Sequence, residues 1–163
     1  MQPTAHLATV RLAGTELTFE TGRIARQAQG AVLARCGDNV VLATVTAAAT
    51  AKPGQDFFPL TVEYREKFAG AGRIPGGFGR REGRITDHEV LVSRLIDRTL
   101  RSLFPDEWKC EVQVQVQVFS AEPSSDLESL ALLAACAALH VSPVPAKGPA
   151  GGLRIARANG QWL

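Results

Sequence analysis

Glu111-Val112-Gln113-Val114-Gln115-Val116-Gln117-Val118-Phe119 decides the fold. Alternation of period two marks a strand with one apolar face. Val112, Val114, Val116 and Val118 point one way and need a covering layer. Gln113, Gln115 and Gln117 point the other way, toward solvent, a channel or a partner. Downstream, Leu127 to Leu139 forms a helix that is apolar on nearly every side, with Ser125 and Glu128 as its capping box. Ala131, Ala134, Ala135, Ala137 and Ala138 let neighbouring elements come close. Such a helix belongs inside a layered fold or at an interface.

Upstream, Thr86 and Glu89 form a Thr-x-x-Glu capping box with Asp87 in the first turn, starting a helix that runs to about Leu103 before Pro105. Val92, Ile96, Leu100 and Leu103 share one side of it, and Arg94, Arg98 and Arg101 share the other. Asp97 lies within helical reach of both Arg94 and Arg101. Before this helix, glycines at 70, 72, 76, 77, 79 and 83 exclude a stable helix or long central strand. Loops of this length are usually functional or disordered. This one carries Phe78, Gly79, Arg80 and Arg81. Guanidinium forks match phosphate oxygens in geometry and charge, so a polyanion passing the loop is one reading. A solvated basic turn is the other, and the arginine ridge carries the same two readings.

Val10 to Glu20 reads as two short strands around Ala13-Gly14. Ala31 to Ala34 and Val40 to Val45 read as a hairpin turned by Cys36-Gly37-Asp38-Asn39. Phe58 to Tyr64 is a further strand. Gly151 to Ala156 reads as a late strand followed by a turn at Asn159-Gly160, with its partner beginning at Gln161-Trp162-Leu163. We therefore expect one domain over residues 1–163, incomplete at its C-terminus.

The chain has 163 residues, 45% apolar and 21% charged, which is enough to bury a core. Its net charge of +2 does not by itself indicate nucleic acid, but the basic residues between Arg73 and Arg101 concentrate on two short elements. Cys36, Cys110 and Cys136 have the wide spacing of free thiols in a reducing compartment, without a zinc pattern. His6, His88 and His140 read as surface or packing histidines. No apolar run reaches the roughly 18–20 residues that span a bilayer, and the N-terminus lacks a secretory signal. We expect a cytoplasmic location and no membrane partner.

The ordered motifs carry a resemblance. They are Glu20-Thr21-Gly22-Arg23, Gly30-Ala31-Val32-Leu33, Lys52-Pro53-Gly54-Gln55-Asp56-Phe57-Phe58-Pro59-Leu60-Thr61-Val62, Ala71-Gly72-Arg73-Ile74-Pro75-Gly76, Arg80-Arg81-Glu82-Gly83-Arg84 and Arg94-Leu95-Ile96-Asp97-Arg98. Over essentially its whole length the chain resembles the first RNase PH-like domain of the bacterial polynucleotide phosphorylase (polyribonucleotide nucleotidyltransferase) family. The resemblance implies an α/β fold of the ribosomal protein S5 domain 2-like type, a mixed sheet packed with helices.

It also implies the RNA-guiding, catalytically silent half of a 3′-to-5′ phosphorolytic exoribonuclease, which releases nucleoside diphosphates and can polymerise in reverse. Inorganic phosphate is the co-substrate, and Mg²⁺ acts in a second RNase PH-like domain. A homotrimeric ring and RNA-degradation complexes are the implied partners. A non-catalytic RNA-binding and ring-assembly module is the alternative. The expected RNA-binding residues are Phe78, Gly79, Arg80, Arg81, Arg94, Arg98 and Arg101, with no catalytic or metal-binding residue in this chain.

Two positions depart from the family pattern. The family usually places a second phenylalanine where Gly79 stands, and a lost ring removes a stacking platform worth roughly 1–3 kcal/mol per base. Gly79 is also a candidate for a positive-φ position closed to phenylalanine. Thr99 and Ser102 replace common prolines but leave Arg98 and Arg101 in place.

Overall fold

The computed structural model describes residues 4–12, 14–76, 78–123 and 125–162. The expectations placed on Ala13, Gly77 and Leu163 lie outside these. Six strands form one sheet: β1 (His6–Leu12), β2 (Thr15–Thr21), β3 (Gly30–Cys36), β4 (Asn39–Ala47), β5 (Leu60–Glu66) and β6 (Val112–Ser120). Their spatial order is β1-β2-β3-β4-β6-β5. Every neighbouring pair is antiparallel except β5 and β6, which run parallel. The connection between those two is α1 (Asp87–Arg101), the crossover that a parallel pair requires. The β3–β4 hairpin turns at Gly37-Asp38, and Gly37 supplies the left-handed φ of 58°.

The valines of β6 are buried, between 0% and 3% exposed. They sit between Val41, Ala43 and Val45 of β4 and Leu60 and Tyr64 of β5. Val92, Ile96 and Leu100 of α1 belong to the same core, as do the small residues of α2 (Leu127–Val141). Burying a valine stabilises by about 1.5–3 kcal/mol, so the period-two run anchors the two-layer arrangement. α1 packs on β5, and α2 packs on β3, β4 and β6. On the opposite face Gln113 and Gln115 are exposed.

Two expected features take another form. No Ser125–Glu128 capping box starts α2: Asp126 is the N-cap, and its carboxylate accepts from the amide (3.4 Å) and hydroxyl (2.8 Å) of Ser129. Glu128 instead turns outward to ion-pair with Arg154, and its carboxylate lies 3.8 Å from the His88 ring. Residues 151–156 form no strand. Arg154 pairs with Asp126 and Glu128, and a Cβ on Gly152 would collide with Leu132, so this segment is held against α2. Only Arg157–Ala158 (β7) and Gln161–Trp162 (β8) pair, around Asn159-Gly160 with φ of 51° and 82°.

Candidate nucleic-acid interface

β5 is a terminal strand, and an unpaired strand edge invites unwanted pairing. Side chains of α1 cap it. The Tyr64 amide donates to Ser93 Oγ (3.0 Å), and the Glu66 amide donates to Glu89 Oε1 (3.0 Å). At the other end, the Arg101 guanidinium donates to the carbonyls of Phe58 (3.1 Å) and Leu60 (3.3 Å). Arg101 is also held by both carboxylate oxygens of Asp97 and lies over the Phe58 ring at 5.5 Å. Phe58 in turn packs against Phe104, with ring centroids 4.5 Å apart.

The helical ridge is therefore divided. Arg94 and Arg98 are exposed and make no ion pair among the described residues, whereas Arg101 bends back onto the strand edge. Asp97 braces Arg101 and not Arg94. Leu91 and Leu95 lie on the outer side with Arg94 and Arg98 and are 65% and 46% exposed. Helical periodicity assigns the core stripe but says little about this exposed leucine pair.

The loop between β5 and α1 starts with one 3-10 turn, Phe68–Ala71. Its seat is the end of β6, where the Ala121 amide donates to the Gly70 carbonyl (2.9 Å). At its tip Phe78 is fully exposed, and Gly79, Arg80 and Arg81 are exposed too. Neither Arg80 nor Arg81 has an acidic partner among the described residues. Gly79, a candidate for positive φ, does not have it, and a Cβ there meets nothing within 4 Å. The left-handed residue is its neighbour Arg80, with φ of 43°.

Glu89 holds the loop's far end. Its carboxylate accepts from the amide (2.7 Å) and hydroxyl (2.9 Å) of Thr86, completing the expected capping box, and from the Glu66 amide across the loop. Burial would raise its pKa, but the amides of Thr86 and Glu66, the Thr86 hydroxyl and Arg65 outweigh that and hold it below the ordinary 4.5. A depressed carboxylate pKa stabilises the fold above the unfolded value, and that contribution disappears as pH falls through the folded one. Urea midpoints measured from neutral pH down through the carboxylate range should therefore fall more steeply for the native chain than for Glu89→Gln. Parallel profiles would remove Glu89 from this role. Its place on the Glu89-Ile96-Leu100 stripe was the available sequence signal for burial.

On the neighbouring surface a cleft of about 430 Å³ is lined by Glu66, Arg73, His88, Asp126, Glu128 and Arg154, among others. His88 is not a bare surface histidine: its ring lies 3.2 Å from Glu66 and 3.8 Å from Glu128. The Tyr64 hydroxyl also donates to Glu66. Among the described residues no group of three or more His, Cys, Asp or Glu side chains is placed to hold a metal ion.

A mixed sheet backed by two helices, with a cationic loop entering the first, defines an RNase PH-like α/β domain of the ribosomal protein S5 domain 2-like class. Residues 14–145 match the RNase PH family, "3′ exoribonuclease family, domain 1", and the chain belongs to that family. It is similar to the polyribonucleotide nucleotidyltransferase of Amoebophilus asiaticus (strain 5a2), 55% identical over 148 residues, covering 91% of this chain and 21% of that one. The Rhizobium meliloti (strain 1021) enzyme of the same name is 52% identical over 158 residues, covering 97% and 22%. The chain thus spans about a fifth of the length of these curated relatives.

Among solved structures, a chain of the Archaeoglobus fulgidus exosome with RNA bound to the active site superposes with a TM-score of 0.58 at 17% identity, covering 88% of this chain and 53% of that one. Rice (Oryza sativa) Rrp46 gives 0.57 at 20% identity, covering 91% and 60%. At such identities the likeness is one of fold.

Proposed function

We infer that this chain is the first RNase PH-like domain of a polyribonucleotide nucleotidyltransferase and guides single-stranded RNA rather than cutting it. The observation that carries this reading is the exposed Phe78-Gly79-Arg80-Arg81 tip together with exposed Arg94 and Arg98 on α1, four guanidiniums free of acidic partners among the described residues. Arg80 and Arg81 bind phosphates, which carry no sequence information, and Phe78 stacks on a base. Arg94 and Arg98 continue the path along α1, while Arg101 contributes mainly by fixing the helix to β5.

The reaction belongs to a second RNase PH-like domain. There inorganic phosphate would attack the phosphorus of the 3′-terminal phosphodiester, and the 3′ oxygen of the shortened RNA would leave. The terminal nucleotide would be released as a nucleoside diphosphate, with Mg²⁺ supplying stabilisation of the developing charge. A cytoplasmic homotrimer serving RNA-degradation complexes completes the proposal. The ring-assembly reading draws support from Leu91 and Leu95, whose exposure suits burial against another subunit.

The test is phosphate-dependent diphosphate release by this chain and by the full-length protein, with RNA binding measured on both. The chain should bind single-stranded RNA and release no diphosphate, and the full-length protein should do both. Diphosphate release by the chain alone would overturn the silent assignment.

The space around Gly79 adds a prediction. Since its φ is not left-handed and its surroundings are empty, Gly79→Phe is accommodated without loop distortion and supplies a second ring. With base stacking at roughly 1–3 kcal/mol, the full-length variant should degrade longer runs of RNA per binding event. Runs of native length in an intact assembly would reject the added platform.

A further inference from the structure

Two carboxylates cross the base of the 67–86 loop like rungs. Glu89 joins the amides of Glu66 and Thr86, and Glu82 accepts from the Phe68 amide at 2.8 Å. Beyond the second rung lies the lobe that ends in Phe78, Gly79, Arg80 and Arg81. Arg80 sits in left-handed backbone, and a non-glycine residue stays there only where its surroundings over-determine it. Glu82, two residues on, supplies such a constraint: its carboxylate ties the descending arm of the loop to the ascending one.

We propose that Glu82 is a positioning residue that fixes the direction in which Arg80 and Arg81 leave the loop, and so sets the grip on single-stranded RNA without touching it. This rests on the RNA reading above. The sign of the effect separates it from plain electrostatics. A carboxylate beside a polyanion site repels the ligand, so removing an idle one tightens binding. Removing a brace weakens it.

The experiment measures binding of labelled oligouridylate and oligoadenylate to the full-length protein across a salt series. Glu82→Ala should weaken both about three- to tenfold, the net worth of one ordinary intramolecular hydrogen bond, and flatten the salt dependence. Glu82→Gln keeps an acceptor for the Phe68 amide without the charge and should bind at least as tightly as the native protein. Phe68→Pro removes the donor instead and should reproduce Glu82→Ala. Proline suits the first position of a helical turn, and Lys67 before it already has the extended φ of −92° and ψ of 141° that proline demands.

In an Arg80→Gly/Arg81→Ala background, Glu82→Ala should cause no further loss of affinity, because the groups it positions are gone. Tighter or unchanged binding by Glu82→Ala, or an equal loss in the arginine-free background, overturns the positioning role while leaving the RNA reading standing. If the arginine-free protein binds as the native one does, the RNA reading falls and the role of Glu82 with it.

Discussion

Gly30→Ala should destabilise the domain by about 3 kcal/mol, the upper end of what an overpacked core site costs. Gly30 opens β3 where α2 crosses it. A Cβ there would fall inside the contact distance of the Ala138 carbonyl oxygen and within 2.7 Å of Ser142 Cβ. The obstacle is helix backbone, which cannot rotate aside as a side-chain tip can. Relief requires α2 to lift from β3, and Ala131, Ala134, Ala135 and Ala138, all fully buried, would lose packing as it did.

Backbone conformation gives no offset against Gly30, because its φ lies outside the left-handed range. In a strand interior alanine is otherwise preferred to glycine by roughly 0.5–1 kcal/mol, so any measured loss understates the steric cost. Gly76→Ala is the control, with nothing within 4 Å of its added Cβ. Urea unfolding should leave the control within about 0.5 kcal/mol of the native chain, as for ordinary surface substitutions. A loss below about 1 kcal/mol at Gly30 would mean that α2 rides higher on the sheet than described.

The alanine run of α2 made close approach legible from sequence, but not that Gly30 is the residue approached. The same division recurs. Period-two valines and the Thr86–Glu89 cap were readable because each depends on neighbours a few residues away. Arg101 was assigned to the free ridge because periodicity places it beside Arg94 and Arg98. A guanidinium long enough to reach the carbonyls of Phe58 and Leu60 obeys the edge of β5 instead, and that edge exists only once strand order is known.

At α2, Ser125-x-x-Glu128 and Asp126-x-x-Ser129 are overlapping capping patterns one residue apart. The ionised carboxylate of Asp126 is the stronger acceptor, and Arg154 occupies Glu128 from 26 positions away. For the candidate interface, the exposed tip and the Thr86–Glu89 cap were readable, and the bonds that cross the loop were not. Glu82 and Glu89 act through amides on the far side of the loop.

Replacing Arg80 and Arg81 together should have the largest effect on binding. Arg80→Gly/Arg81→Ala is expected to weaken single-stranded RNA binding by about 10- to 100-fold, taking hydrogen bonds to charged groups at about 1.5–3 kcal/mol and allowing for solvent at an exposed tip. Glycine is the better replacement at residue 80, because alanine would inherit a φ of 43° and mix strain with charge loss. Both side chains are exposed, so the unfolding midpoint should barely move.

Two lost phosphate contacts should flatten the slope of log affinity against log salt by about 1.4, at about 0.7 each for single strands. Because phosphates are common to all sequences, oligouridylate and oligoadenylate should lose affinity equally. An unequal loss would point to base contacts. An unchanged slope in a folded variant would return both arginines to a solvated turn. Arg80→Lys/Arg81→Lys then separates charge from shape: the slope should persist because the cations remain, while affinity falls part of the way, since an ammonium cannot grip two phosphate oxygens as a guanidinium fork does.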